Sequence, residues 1–194
     1  GFLVHAMEYV WKKYKMKGYK SRVDYASKYL WGFDFDERST KISRAIMLIS
    51  GDGKSHIYKE NSLEFHNWGG KLEGDLKSEK LVKNSNNKEL LFNILLTNPP
   101  FAGDIKEKHL MSLYDIVDDK KNDIGRHILF IERSIDLIES GGRLGIVLPQ
   151  GIFNNTNEEP IRDYIGKKAR ILAVVGLDGN SFKPHTGTKT SLLF

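Results

Sequence analysis

Three features of this 194-residue chain predict an α/β fold with a mostly parallel sheet and helices on both of its faces. Strand-like apolar runs alternate with segments of helical periodicity along nearly the whole sequence. Glycines and helix-capping acids fall at the junctions between these segments. One apolar run, residues 90–96, is followed closely by two prolines, which end a strand because neither can donate to a ladder. Functional residues are therefore expected at the carboxyl ends of strands.

The composition excludes several classes of site. The chain contains no cysteine, which rules out disulfides and thiolate metal ligands, and its six histidines lack metal-ligand spacing, so no metal site is predicted. No apolar run reaches 18 residues, so we expect no membrane contact and a cytoplasmic location. Neither a nucleophile elbow nor a Walker phosphate loop is present. The net charge of +5 permits a polyanionic partner without requiring one.

The first third of the chain is predicted to contain two helices and an intervening strand. Residues 1–15 have apolar positions at helical spacing, and residues 29–34 form a strand-like run. Asp36 is suited to cap a helix over 37–49. The expected inner face of that helix consists of Ile42, Ala45, Ile46 and Ile49.

The middle third is predicted to contain two strands and two loop insertions. Residues 55–59 form a short candidate strand, and 66–89 are rich in Gly, Asn, Lys, Glu and Ser, which is typical of a surface loop. The apolar run 90–96 is predicted to be a buried strand. Residues 102–122 are polar with scattered apolar positions, and we expect a mobile or partner-contacting insertion there.

The last third continues the alternation and predicts two helices and three strands. The predicted helices cover 124–140, ended by Gly141-Gly142, and 158–168, with Pro160 in the first turn. The predicted strands are 143–148, closed by Pro149, then 171–175, and a last one over 190–194.

Asn98-Pro99-Pro100-Phe101, which we name the NPPF loop, follows the strand predicted at 90–96. The Asn98 side-chain oxygen and the Pro99 carbonyl offer two acceptors, which suit the two hydrogens of an exocyclic amine. Acceptors directed at an amine that gains positive charge stabilise a transition state more than a ground state. Phe101 could stack on a planar ring, a contact worth about 1–3 kcal/mol for a nucleobase. A rigid turn without further function is the alternative interpretation.

Two other strand ends carry candidate ligand-binding side chains. Asp34 is suited to hydrogen-bond a ribose diol, or it could serve only as a capping acid beside Asp36. Asn61 and Ser62 follow the strand at 55–59, where an Asx turn is the alternative to a binding site.

The order of these elements and motifs resembles the S-adenosylmethionine-dependent DNA adenine-N6 methyltransferases, above all the modification (methylase) subunits of type I restriction-modification systems. The resemblance implies a class I, Rossmann-like methyltransferase domain over 1–194. It makes the NPPF loop the catalytic motif: Asn98 and the Pro99 carbonyl would hold the adenine amine, Pro100 would stiffen the loop, and Phe101 would stack on the flipped base. Phe182, in a segment similar to the family's last hairpin, would be a second wall of the base pocket.

The same resemblance assigns the cofactor contacts. Asp34 would bind the ribose of S-adenosylmethionine, Phe35 would flank its adenine, and Asn61-Ser62 would contact that adenine, although Asp is more usual in the family at position 61. Gly1 and Phe2 look like the tail of the family's glycine-rich cofactor loop. The domain would then be truncated at its first strand, and we expect the segment alone to bind the cofactor poorly.

The implied reaction is a direct methyl transfer to adenine N6 in DNA, without a covalent enzyme intermediate and without a metal. The implied partners are DNA, a specificity subunit and, in some assemblies, a restriction subunit. Two alternatives remain open at this point. One is an RNA guanine-N2 or protein glutamine methyltransferase, and the other is a non-catalytic methyltransferase-like module for DNA binding or assembly.

Overall fold

The computed structural model describes residues 1–52, 56–68, 72, 91–118 and 120–194. The chain divides into two compact units, Gly1–Glu73 and Gly74–Phe194. Most of the predicted surface loop 66–89 lies outside the described residues. In the part of the chain that the structure describes, no helix is both long enough and apolar enough to cross a membrane.

In its described residues, the unit Gly1–Glu73 contains the helices α1, α2 and α3 and a two-stranded parallel sheet. Its elements are α1 (Phe2–Lys13), α2 (Tyr19–Tyr29), β1 (Trp31–Asp34), α3 (Glu37–Ile49), β2 (His56–Lys59) and a 3-10 helix (Phe65–Asn67). The register pairs Asp34 with Lys59, so β1 and β2 end together. A core of Met7, Ala26, Leu30, Met47 and Ile57 joins the helices to the sheet. The predicted helices at 1–15 and 37–49 are confirmed, and the strands predicted at 29–34 and 55–59 are present as β1 and β2. Tyr29 instead ends α2, which was not predicted.

The start of α3 follows from a capping interaction. The Asp36 carboxylate accepts a hydrogen bond of 2.6 Å from the Ser39 backbone N–H, which otherwise has no partner in the first turn. That bond holds the pKa of Asp36 below its ordinary value. The helix therefore begins at Glu37, as its sequence predicts.

The rotation of α3 about its axis differs from the prediction. The residues expected on the inner face, Ile42, Ala45, Ile46 and Ile49, are exposed, and Thr40 and Met47 are buried instead. Polar contacts to the sheet explain the difference. Thr40 Oγ1 donates to the Asp34 carbonyl, at the end of β1, at 3.5 Å. The Arg44 guanidinium donates to the Ile57 carbonyl through Nε at 2.9 Å and Nη2 at 2.7 Å. These bonds turn the Thr40–Arg44–Met47 side of the helix toward β2.

The unit Gly74–Phe194 is built on a four-stranded sheet of order β3-β6-β8-β7. Its strands are β3 (Phe92–Thr97), β4 (Asp104–Ile105), β5 (Ile124–Gly125), β6 (Ile138–Pro149), β7 (Val174–Gly176) and β8 (Thr190–Leu193), and its helices are α4 (Lys108–Met111), α5 (Arg126–Asp136), α6 (Gly151–Asn154), a 3-10 helix (Thr156–Glu158) and α7 (Glu159–Lys168). In this described sheet β3, β6 and β7 run in one direction, and β8 is antiparallel to both of its neighbours. The mostly parallel sheet is thus confirmed here.

The predicted helix 124–140 is shorter than expected. Helix α5 ends at Asp136, and β6 already begins at Ile138, ahead of the glycine pair. The cause is pairing with β3, because the Phe92 N–H donates to the Leu137 carbonyl at 2.8 Å and Phe92 is in register with Ile138. Strand pairing therefore captures the end of a segment whose apolar spacing favours a helix.

The segment 102–122 is more ordered in the structure than an insertion loop. Strands β4 and β5 close it as an antiparallel pair, and it contains α4. Most of its scattered apolar residues are buried, among them Leu110, Met111, Tyr114 and Ile116, whereas Leu113 is exposed. The chain that follows the NPPF loop therefore contributes buried side chains to the unit.

Candidate active site

The NPPF loop begins directly after β3, which ends at Thr97. Pro99 is buried, while Asn98 and Pro100 are exposed. The two prolines stop the ladder with β6, which last pairs Thr97 with Ile146. Burial of the Pro99 ring anchors the loop and leaves the Asn98 side chain at the carboxyl edge of the sheet, as the sequence predicts.

Both acceptors of the NPPF loop are available to a ligand. The Asn98 side chain is exposed, and no hydrogen bond joins its amide to another residue that the structure describes. The Pro99 carbonyl likewise accepts no hydrogen bond within the described part of the chain. An Asn amide with no internal partner at a strand end can accept from an incoming amine without first losing a protein contact.

The structure brings Phe101 and Phe182 together. Their ring centroids are 6.2 Å apart and their planes meet at 87°, an edge-to-face pair. Phe182 lies in the connection between β7 and β8, where its carbonyl accepts the backbone N–H groups of His185 at 2.9 Å and Thr186 at 3.1 Å. Both rings are half-buried. They therefore form an apolar corner with one wall from each of two loops, and Phe101 lies three residues after Asn98 in the sequence.

In the other unit, Asp34 and Asn61 lie at the same edge of the β1–β2 sheet. The Asp34 carbonyl accepts the Glu60 N–H at 3.0 Å, which joins the two strand ends. Asp34 Oδ1 accepts the Asp36 N–H at 2.9 Å, while Oδ2 makes no hydrogen bond to a described residue. An exposed carboxylate with one oxygen held and the other available fits the two hydroxyls of a ribose.

The Asn61-Ser62 segment forms the Asx turn that was the alternative interpretation. Asn61 Oδ1 accepts the Leu63 N–H at 3.1 Å, and the Asn61 carbonyl accepts the Glu64 N–H at 3.1 Å. The Asn61 oxygen is thus used locally, and its amide nitrogen is the group that remains for a ligand. Ser62 is half-buried beside it.

The remaining predicted cofactor residues present exposed surface. Phe35 is 72% exposed directly after Asp34, and Phe2 is 49% exposed in the first turn of α1. Gly1 precedes that turn, and its carbonyl is 3.0 Å from His5 Nδ1. A bare aromatic ring beside a strand-end carboxylate fits the adenine and ribose of a nucleoside cofactor, so the residues of this unit fit S-adenosylmethionine.

Sequence reasoning missed two residues that support these sites. Trp68 donates its indole N–H to the Asn61 carbonyl at 2.7 Å. Glu132 on α5 is 5% exposed and accepts the Asp115 N–H at 2.9 Å and the Ile116 N–H at 2.7 Å. Burial raises the pKa of Glu132, against the opposing effect of these two bonds. Neither residue stands in a motif, so no sequence signal identifies it.

Comparison with known families decides what the chain is related to. Residues 1–194, the whole chain, match the family described as N-6 DNA Methylase. The chain belongs to this family. The resemblance that the order of its motifs indicated is thereby confirmed.

Two curated relatives come from restriction-modification systems. The type I restriction enzyme EcoEI methylase subunit of Escherichia coli is 29% identical over 109 residues, which are 53% of this chain and 20% of that protein. The type II restriction enzyme and methyltransferase RM.BcgI of Heyndrickxia coagulans is 23% identical over 166 residues, 83% of this chain and 21% of that protein. The chain thus spans about a fifth of the length of these relatives.

Solved structures show the class I methyltransferase fold. The M protein of the type I restriction enzyme EcoKI superposes with a TM-score of 0.65 at 18% identity, over 100% of this chain and 36% of that one. The methyltransferase subunit of the type I restriction-modification system of Streptococcus thermophilus gives a TM-score of 0.62 at 17% identity, over 85% of this chain and 33% of that one.

Proposed function

We propose that this chain is part of an enzyme that transfers a methyl group from S-adenosylmethionine to adenine N6 in DNA within a restriction-modification system. The observation that carries the proposal is the NPPF loop, with the unpaired Asn98 amide at the end of β3 and the Phe101–Phe182 corner beside it. Membership of the N-6 DNA Methylase family supports the same assignment.

The chain's own groups account for activation of the amine. Asn98 Oδ1 and the Pro99 carbonyl would each accept one N–H of the exocyclic amine, which fixes the direction of its nitrogen. S-adenosylmethionine supplies a methyl group on a positively charged sulfur. When the amine nitrogen bonds to that methyl carbon, the carbon–sulfur bond would break with its electron pair left on the sulfur, and the nitrogen would become tetrahedral and cationic. The two acceptors stabilise that charge until one N–H proton leaves to water.

The aromatic corner would hold the base during this step. A purine that has left the duplex stack loses its neighbours, and Phe101 would replace one of them by stacking. Phe182 would close the side of the pocket with its ring at a right angle. The corner therefore favours a planar base over a flexible side chain, which separates an adenine substrate from a glutamine substrate.

The cofactor would be held by the unit Gly1–Glu73. Asp34 would bind the ribose hydroxyls through its available oxygen, Phe35 would cover the adenine ring, and the Asn61-Ser62 turn would contact the adenine edge. Gly1 and Phe2, at the start of α1, would border the remainder of the cofactor. These assignments rest on the exposed carboxylate and ring described above.

We also propose the setting in which the enzyme works. The EcoEI relative is named a methylase subunit of a type I restriction enzyme, and a subunit of this kind suggests association with a specificity subunit and a restriction subunit. Its substrate would be the cell's own DNA, so the complex would act in the cytoplasm.

Identification of the modified base tests the proposal. The complete protein that carries this sequence, with its specificity subunit, is incubated with DNA and S-adenosylmethionine, and the DNA is digested to nucleosides for mass spectrometry. We expect N6-methyladenine. Methylated guanine in RNA, or methylated glutamine in a protein substrate tested in parallel, would replace this function by one of the two enzyme alternatives. An absence of any product would favour the non-catalytic module.

A further inference from the structure

Trp68 connects the two strand ends that carry the candidate cofactor residues. It lies directly after the 3-10 helix Phe65–Asn67. Its indole ring stacks on Phe33 with centroids 4.9 Å apart and planes inclined by 12°. Its indole N–H donates to the Asn61 carbonyl at 2.7 Å. One side chain thus contacts β1 through its ring face and the turn after β2 through its polar edge.

Each of these contacts is next to a candidate cofactor residue. Phe33 immediately precedes Asp34 in β1, and Asn61 begins the Asn61-Ser62 turn. The stack continues inward, since Phe33 lies 5.9 Å from the Tyr58 ring on β2 at an angle of 25°. Trp68 therefore belongs to an aromatic layer that spans both strands.

We propose that Trp68 is a positioning residue for the cofactor site of the Gly1–Glu73 unit. It acts through Phe33 and Asn61, fixing the distance between the Asp34 carboxylate and the Asn61-Ser62 turn. The inference rests on the proposed function, because it takes these two strand ends as the place where S-adenosylmethionine binds. It adds a residue that the motifs of the chain do not contain.

The physical reason is preorganisation of the Asn61-Ser62 turn. Without the indole N–H, the Asn61 carbonyl keeps one hydrogen bond, from the Glu64 N–H at 3.1 Å. The Asn61 side-chain oxygen keeps the bond from the Leu63 N–H, so both bonds that remain to Asn61 lie within the turn. Loss of the indole N–H would remove the tie between this turn and the indole ring that stacks on Phe33 of β1. Ordering it again on binding would lower the affinity for the cofactor.

The chain offers a matched pair of substitutions. Trp68→Phe keeps an aromatic ring to stack on Phe33 and removes the indole N–H. Trp11→Phe makes the same chemical change in α1 of the same unit, where the buried indole nitrogen has no hydrogen-bond partner in the described structure. A general effect of replacing tryptophan would appear in both variants, whereas loss of positioning would appear in Trp68→Phe alone.

Calorimetric titration with S-adenosylmethionine and steady-state kinetics, both with the complete protein, give the test, and the Kd for S-adenosylmethionine should change in parallel with its KM. For Trp68→Phe we expect the KM for S-adenosylmethionine to rise about three- to tenfold, the change expected for one net hydrogen bond. The kcat and the KM for DNA should stay within about twofold of wild type. Trp11→Phe should match wild type in all three parameters. A rise in the KM for DNA, or a fall in kcat alone, would assign Trp68 a general structural role and overturn the inference.

A second variant tests the same contact by changing the partner of Trp68 on β1. Phe33→Leu removes the ring under Trp68 and leaves the indole N–H in place, so it gives the answer if Trp68→Phe does not fold. We expect the same selective rise in the KM for S-adenosylmethionine. Wild-type values in both variants would contradict the inference while leaving the proposed function intact. Failure of the wild type to bind the cofactor would instead remove the proposed function, and this inference with it.

Discussion

The rings of Phe101 and Phe182 meet edge to face, with centroids 6.2 Å apart and an interplanar angle of 87°. One ring ends the NPPF loop after β3, and the other lies in the connection between β7 and β8. Two loops far apart in sequence thus build a single corner. A right-angled corner gives a planar base one ring to stack on and one ring to abut, so each ring should depend on the other for its contribution.

A double-mutant cycle should reveal that dependence. We expect Phe101→Leu and Phe182→Leu each to weaken DNA binding, and the double variant to lose less than the sum. The coupling free energy should be about 0.5–1.5 kcal/mol, the range for an aromatic pair. Fluorescence anisotropy of a labelled DNA duplex, with the complete protein, measures the four affinities of wild type, the two single variants and the double variant. Strict additivity of the two losses would show that the pair has no common role.

Loss of the Asp34 charge should weaken cofactor binding. Asp34→Asn keeps an oxygen for the Asp36 N–H but replaces the available carboxylate oxygen by an amide nitrogen, which cannot accept from a ribose hydroxyl. A lost hydrogen bond to a charged group lowers the affinity for S-adenosylmethionine about tenfold to a hundredfold, measured by calorimetry.

The neighbouring acid provides the control for that experiment. Asp36→Asn keeps the cap on the Ser39 N–H, because asparagine caps helices as well as aspartate does. Its affinity for S-adenosylmethionine should equal that of wild type. If Asp34→Asn and wild type bound S-adenosylmethionine equally well, the role of Asp34 would be limited to its hydrogen bond with the Asp36 N–H in the turn before α3.

Removing the buried carboxylate on α5 should loosen the segment 102–122. The Glu132→Ala variant leaves the Asp115 and Ile116 N–H groups without their acceptors. A buried donor without a partner costs about 1–3 kcal/mol, so hydrogen exchange at these two amides should become about tenfold to a hundredfold faster. Unchanged exchange would show that packing of the segment's apolar side chains holds it without the carboxylate.

The pKa of Glu132 predicts how the stability of α5 depends on pH. Burial raises the pKa of Glu132 above its ordinary value of 4.5, and burial also raises the pKa of Asp136. Between the ordinary and the raised pKa the folded state binds more protons than the unfolded state, so stability falls as pH rises through that window. Glu132→Gln should reduce this dependence on pH. Hydrogen exchange of the α5 amides at several pH values gives the free energy of local opening that measures it.

The control for the pH experiment is Asp163→Asn, since Asp163 is exposed on α7. It should leave the pH dependence of α5 unchanged. If Glu132→Gln instead followed the wild-type pH dependence, the raised pKa of Glu132 would have no part in the stability of α5.

Local signals in the sequence were sufficient for the start of α3 and for the end of β3. The capping residue Asp36 places the start of α3 at the correct residue, Glu37, because a cap is an interaction between positions three apart. The prolines of the NPPF loop mark the end of β3, because the constraint is covalent. The proximity of Asp34 to Asn61 follows from parallel pairing of two short strands, which places their carboxyl ends together.

The errors have a common physical origin in contacts between distant residues. The spacing of Ile42 and Ile46 favours an apolar inner face on α3, but Arg44 bonds to the Ile57 carbonyl and sets another rotation. The helix before β6 ends early because Phe92 pairs with the chain there. Trp68 was not identified because its contacts with Phe33 and Asn61 join different elements, and such contacts leave no periodic signal in the sequence.

The most direct test of the account is methyl transfer by the complete protein in which Asn98 is changed. Asn98→Ala removes one of the two amine acceptors, and kcat for transfer of a labelled methyl group to DNA should fall by on the order of a hundredfold or more. Asn98→Asp retains an acceptor oxygen at the same place and should keep measurable activity. Wild-type kcat in Asn98→Ala would contradict the assignment of the NPPF loop as the amine-binding centre.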